Sequence, residues 1–272
     1  MQNFVKDKDL ASFDIIGGRY KNKHPDGYLE FKKRLERAPL FIDSVNVKGK
    51  FMWWRFFELG PRKNLAECHM WCTYGMSGQW STELANKHTG ATMSFVFDSR
   101  EPAGVLNFDD PRHFGTLKFV NDPALTVKKL ATLGPDMLND PPDLAEFELR
   151  LGKRFSKTLA EALMDQSVVS GVGNYVKAEA LYLAELSPHR TVSSLKAGER
   201  QRLRDQIITV MKASYATGGA TISTYRNPDG KPGEAQRRFA VYGNKTDPMG
   251  NPVIREETKD GRTTHWVPSI QR

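Results

Sequence analysis

Between Ala11 and about Phe119, apolar and polar residues alternate in short runs: Phe13 to Ile16, Val45 to Leu59, Ala66 to Tyr74, Ala91 to Phe97, Gly104 to Phe108 and Gly115 to Phe119. Clusters of Gly, Pro and Asp separate them, and this period-two pattern predicts the strands of a sandwich or barrel. The stretch 121–143 is rich in Pro and Asp and reads as a connector. Beyond it the period changes. Apolar residues recur every three to four positions in Leu144 to Arg154, Leu159 to Gln166, Asn174 to Leu186 and Ala197 to Tyr215, which predicts four helices ending at Gly218-Gly219. After the polar loop that contains Arg226-Asn-Pro-Asp-Gly, the tail from Arg238 to Arg272 alternates again. Turn signals at Pro248-Met-Gly and Asp260-Gly predict a β-hairpin.

Composition narrows the class. The 272 residues are 39% hydrophobic, with 5 Trp and 15 Phe, enough to fill two ordinary cores and to rule out intrinsic disorder. Forty Lys and Arg against 32 Asp and Glu leave a formal net charge of +8, spread over the N-terminal, helical and C-terminal parts. A distributed basic excess suits a groove facing a polyanion, and it equally suits solvated surface charge. Cys68 and Cys72 are the two cysteines. On one strand their Cα atoms lie about 13 Å apart, too far for a disulfide, which favours a reducing compartment. No run of 18 apolar residues occurs and the start has no apolar signal core, so a soluble intracellular chain with no membrane contact is expected.

The segment Leu163 to Pro188 carries the strongest chemistry. Two predicted helices flank Ser170-Gly-Val-Gly173, and Asn174, a favourable N-cap residue, opens the second. Glycines admit a ligand close to the backbone, and the free N–H groups and positive dipole end of a helix attract phosphate. Such a turn grips an anionic backbone without reading sequence. An ordinary helix hairpin in a core has the same composition.

Residues 163–188 resemble the helix-two-turn-helix of the formamidopyrimidine-DNA glycosylase and endonuclease VIII family. The resemblance continues in order through Val47-Lys-Gly-Lys-Phe51, Tyr74-Gly-Met-Ser-Gly78, Asp110-Pro-Arg-His-Phe-Gly115, Leu133-Gly-Pro-Asp136, Asp229-Gly-Lys-Pro-Gly233 and Val241-Tyr-Gly243. It implies an α+β fold: an N-terminal β-sandwich (1–122), a linker (123–143), a helix-two-turn-helix domain (144–222), and a loop with a C-terminal zincless-finger hairpin (223–272). It also implies a DNA glycosylase and abasic-site lyase of base excision repair, acting as a monomer on damaged double-stranded DNA in the cytoplasm, nucleoid or nucleus.

An enzyme that excises a base must rotate it out of the stack and fill the gap, which calls for an apolar plug and a cation near the orphaned partner. The resemblance gives these tasks to Met76, Arg112 and Phe114, contact with phosphates and a part in catalysis to Lys50, and backbone contacts to Lys157, Gly171, Gly173, Asn174 and Arg262. Thr221, Ser223 and Tyr225 fall in the loop that closes over an everted base. Many relatives carry a four-cysteine zinc finger at the C-terminal hairpin. This chain has no cysteine beyond position 72, so no Cys₄ site forms, and no metal or other cofactor is expected.

Family members begin with a proline, whose secondary amine attacks the sugar C1′, followed by a glutamate that moves protons. An iminium formed with the opened sugar makes β-elimination easy. This chain begins Met1-Gln2-Asn3, and Gln2 to Lys6 resembles the end of the helix that follows those residues. Two expectations compete: a start upstream of Met1 that restores the dipeptide, which we favour, or a paralogue that binds damage without cutting. A basic RNA-binding protein is a third class, and it lacks an aromatic-rich single-strand platform. The lesion signals conflict. The 221–233 loop and the Asp110–Gly115 segment lean toward oxidised purines, and the zincless finger leans toward oxidised pyrimidines and hydantoins.

Overall fold

The computed structural model describes residues 2–59, 65–97, 101–220 and 233–272. They fall into two compact units, which part after Leu130, inside the stretch that the sequence marks as a connector.

The first unit opens with the short helix α1 (Gln2–Val5) and strand β1 (Asp9–Ile15), followed by helix α2 (Tyr28–Leu35). Strands β2 (Leu40–Lys48), β3 (Phe51–Leu59), β4 (Leu65–Thr73), β5 (Gln79–Ser81), β6 (Thr89–Phe97), β7 (Glu101–Asp109) and β8 (Thr116–Val120) complete an antiparallel sheet in the order β5-β7-β6-β1-β2-β3-β4-β8. The sheet folds over itself. Trp54 of β3 meets Trp80 of β5 at 5.9 Å between ring centroids, although their strands are remote in that order. Inward residues of all eight strands thereby share one core, with Trp54, Phe56, Met70 and Cys72 fully buried. Cys68 and Cys72 both point inward from β4 as free thiols.

Several elements differ from the sequence expectation, among them the short strand β5, which no predicted run covers. The run Val45 to Leu59 is two strands, β2 and β3, which pair Lys48 with Phe51 across the turn residues Gly49 and Lys50. Gly49 takes φ +58°, the conformation a two-residue hairpin asks of its first central position. Helix α2 was not expected. Tyr28, Phe31 and Leu35 lie on its buried face among charged neighbours. The Pro- and Asp-rich stretch begins with helix α3 (Pro123–Ala131), because proline suits the first helical position and Thr126 docks on β4 through Trp71 Nε1 and His69 Nδ1.

The second unit contains α4 (Leu144–Gly152), α5 (Leu159–Met164), α6 (Asn174–Leu183), α7 (Ala197–Ala216) and the hairpin β9 (Ile254–Thr258) and β10 (Arg262–Trp266). Asp143 caps α4 by accepting from the Glu146 amide, and Thr158 with Glu161 forms a capping box on α5. Phe147, Leu159, Leu163, Val169, Leu181, Leu203 and Ile207 form its core.

Candidate nucleic-acid interface

In the second unit the turn between α5 and α6 is fixed from several sides. Gln166 spans it, donating to the Val172 and Met164 carbonyls and accepting from the Gly171 amide, and Gly171 takes φ +96°. Asp165 accepts from Arg154 Nε at 2.7 Å and from the Ser167 amide at 2.9 Å. The segment Leu133-Gly-Pro-Asp136 packs beneath: the Ser170 amide donates to the Pro135 carbonyl, and a Cβ on Gly134 would stand 2.5 Å from the Val168 oxygen. The structure corrects one detail of the sequence reading. Gly173 is the N-cap of α6 and Asn174 its first helical residue, so the Asn174 side chain is released from capping and donates from Nδ2 to the Thr263 carbonyl of β10 at 2.7 Å. Gly171 and Gly173 thus sit beside helical amides that have no carbonyl within their own helix. Lys157 is exposed and reaches Glu161 at 2.9 Å, and that ammonium, with the Thr158 amide, holds the Glu161 carboxyl down at about 2.

The C-terminal hairpin is fastened to α6. Lys177, with no exposed side-chain surface, meets the Asp260 carboxylate at 2.6 Å. Burial pushes the Lys177 ammonium below its ordinary range, and Asp260 opposes that shift. Thr258 Oγ1 joins Asp260 and Thr264, and Gly261 turns the chain at φ +69°, which leaves Arg262 exposed at the start of β10. Two residues beyond Lys177, Glu179 accepts from the amides of Ala240, Val241 and Tyr242 at 2.7, 3.0 and 2.7 Å. Burial raises its pKa, against the three amides. The hairpin does not fit a zinc ion: it supplies no thiolate, and His265 packs against the Tyr242 ring instead, 4.8 Å between centroids.

In the first unit, Lys50 is exposed in the β2–β3 turn rather than within a strand, because Gly49 breaks the ladder there. Two loops meet elsewhere on the same unit. Gly75, at φ +59°, lies so close to Phe114 that a Cβ would stand 2.6 Å from the Phe114 carbonyl carbon. This contact puts the Met76 loop against the Arg112–Phe114 loop. Met76 is 60% exposed and Phe114 51%, with the Arg112 guanidinium 5.0 Å from the Phe114 ring centre. Two large apolar side chains and a cation therefore project from packed loops without a core to enter. A cleft of about 540 Å³ on this unit is lined by Arg19, Lys23, Lys118, Lys129, Phe51 and Trp71 among others. Its cations come from the stretch Arg19 to Lys23, from β8 and from α3, which only the fold brings together. Thr221, Ser223 and Tyr225 lie outside the described residues.

Known proteins show the same order of parts. Residues 133–226 match the model of the formamidopyrimidine-DNA glycosylase H2TH domain, and 228–272 that of the formamidopyrimidine-DNA glycosylase C-terminal domain. The formamidopyrimidine-DNA glycosylase of Listeria innocua is 32% identical over 236 residues, covering 85% of this chain and 82% of that protein. That of Herpetosiphon aurantiacus is 35% identical over 233 residues, covering 85% and 81%. A complex between Lactococcus lactis Fpg and abasic-site-containing DNA matches 97% of this chain and 93% of its own with a TM-score of 0.78 at 25% identity. A glycine-bent turn before α6, a hairpin tied to that helix and kinship along most of the length lead to one assignment: the chain belongs to the formamidopyrimidine-DNA glycosylase family of DNA repair proteins.

Proposed function

We propose that this protein recognises oxidised bases in duplex DNA by extruding the damaged nucleotide, and that its gene product excises the base and cleaves the abasic site. The observation that carries this reading is the packing of Gly75 on Phe114, which groups Met76, Arg112 and Phe114 as exposed side chains on two joined loops. Met76 fills the vacated stack, Arg112 pairs with the orphaned base, and Phe114 wedges the neighbouring step. The amides around Gly171, Gly173 and Asn174, with Arg262, Lys50 and Lys157, bind phosphates and supply affinity that is blind to the lesion. Thr221, Ser223 and Tyr225 are assigned to the loop over the everted base.

Covalent chemistry needs an amine at the sugar C1′. Among the residues of this sequence Lys50 is assigned as an amine able to act at pre-formed abasic sites. Two measurements test the proposal. Anisotropy titration should show tighter binding to an abasic-analogue duplex than to intact duplex at one stated salt concentration, and equal affinities would sink it. Borohydride trapping on DNA with a pre-formed abasic site should give a cross-link that Lys50→Ala lowers. An undiminished cross-link in Lys50→Ala would take Lys50 out of the lyase reading.

A further inference from the structure

Asp110, in the loop between β7 and β8, is a carboxylate only 5% exposed. No ion pair joins it to a cation among the described residues. Its compensation comes from the loops themselves. Oδ1 accepts from the Ser77 hydroxyl at 3.0 Å, and Oδ2 accepts from the Gly115 amide at 2.6 Å. Ser77, equally buried, also accepts from the Arg112 amide at 3.2 Å. One carboxylate and one hydroxyl therefore connect the backbone beside Met76 to the backbone of Arg112 and to the residue after Phe114.

The space around this link is closely fitted. A Cβ on Gly115 would stand 2.7 Å from the Phe108 ring and 3.0 Å from Asp110 Oδ2. His113 takes φ +57°, a left-handed conformation unusual for a residue with a side chain, while its amide donates to the Asp110 carbonyl at 3.2 Å. A buried carboxylate loses hydration that a neutral core residue would not, so its bonds to the loops must hold a geometry that apolar packing alone leaves free.

We propose that Asp110 and Ser77 are positioning residues that set Met76, Arg112 and Phe114 in register with one another. They thereby govern preference for a duplex with a vacated base position and leave the general grip on DNA intact. This rests on the void-filling reading of those loops. The proposed phosphate contacts are assigned to other residues, so loss of the link should reduce selectivity more than affinity.

The test measures affinity of the full chain for a tetrahydrofuran-containing duplex and for its intact counterpart, at one salt concentration, by fluorescence anisotropy. Ser77→Ala and Asp110→Asn should each lower the abasic preference by about 10-fold, the size expected for a lost hydrogen bond to a charged group. Intact-duplex affinity should change less than about 2-fold, a difference within the noise of a surface change. The double variant should lose no more than Asp110→Asn alone, since the two act as one unit. Ser77→Thr, which keeps the hydroxyl, should restore the preference. A merely structural role would lower both affinities together and leave their ratio unchanged. If Asp110→Asn does not fold, Ser77→Ala decides. Parent-like preference in Ser77→Ala, when the parent discriminates, overturns the proposal while sparing the void-filling reading. A parent that does not discriminate removes both.

Discussion

Replacing Lys177 with Met removes one member of the pair that ties α6 to the hairpin loop and leaves Asp260 with a side chain 4% exposed and no counter-ion at 2.6 Å. Two effects compete. Methionine matches the lysine stem in volume and needs no hydration, so the replaced side chain by itself is nearly neutral. The abandoned carboxylate is not, and breaking a buried pair from one side costs about 3–5 kcal/mol. The second effect wins, and Lys177→Met should lower the melting temperature of the second unit by roughly 8–16 °C. In Lys177→Met with Asp260→Asn the uncompensated charge is gone while the Thr258 bond retains an acceptor, so most of the loss should return. Urea unfolding gives the energies, and hydrogen exchange over 254–266 shows whether the hairpin opens first. A single variant within about 1 kcal/mol of the parent, or a double variant no better than the single, would refute the argument that this pair holds the hairpin.

Met76→Ala removes an exposed side chain, so stability should stay within about 0.5 kcal/mol while abasic preference falls; a variant with unchanged preference and parent stability would remove Met76 from the extrusion account. Gly75→Ala puts a methyl at φ +59° against the Phe114 backbone and should destabilise by about 1–3 kcal/mol, as read by thermal melting, with no loss contradicting that contact. Glu161, held at about 2 chiefly by Lys157, and Glu199, held at about 2 chiefly by Arg190, take up protons in the unfolded chain near the usual carboxylate pKa and in the folded chain only near pH 2. Their contribution is full above about pH 5 and fades as pH falls toward 2. Glu161→Gln with Glu199→Gln should flatten the loss of urea resistance between neutral pH and about 3.5, and an equally steep loss would exclude these groups as its source. Lys157→Ala should leave abasic preference intact and lower the slope of log affinity against log salt by about 0.9 if Lys157 meets one phosphate, whereas an unchanged slope takes it out of the interface.

Local signals were legible where a single element produces them. The three-to-four spacing in 144–154 and 197–215 marks helices, and the alternation in 66–74 and 91–97 marks strands. The Gly49–Lys50 turn was hidden because β-type residues continue on both sides of it, and α2 because its three apolar positions sit in a charged stretch. The links that shape the candidate site were the least legible. Ser77 lies 33 residues from Asp110, Lys177 83 from Asp260, and Glu179 61 from Ala240. Each rests on a polar side chain that alone would be read as solvated, and only the fold brings its partner within reach.

The fastening of the hairpin by side chains of α6 has a chemical consequence for a member of a DNA repair family. Peroxide and hypochlorite attack thiolates and eject the ions they hold, yet here the β9–β10 hairpin contains no cysteine. Both cysteines are inside the other unit, where burial pushes Cys68 up to about 11 and Cys72 up to about 12, so neither offers a thiolate near neutrality. The joint between α6 and the hairpin therefore depends on no thiolate that an oxidant could consume.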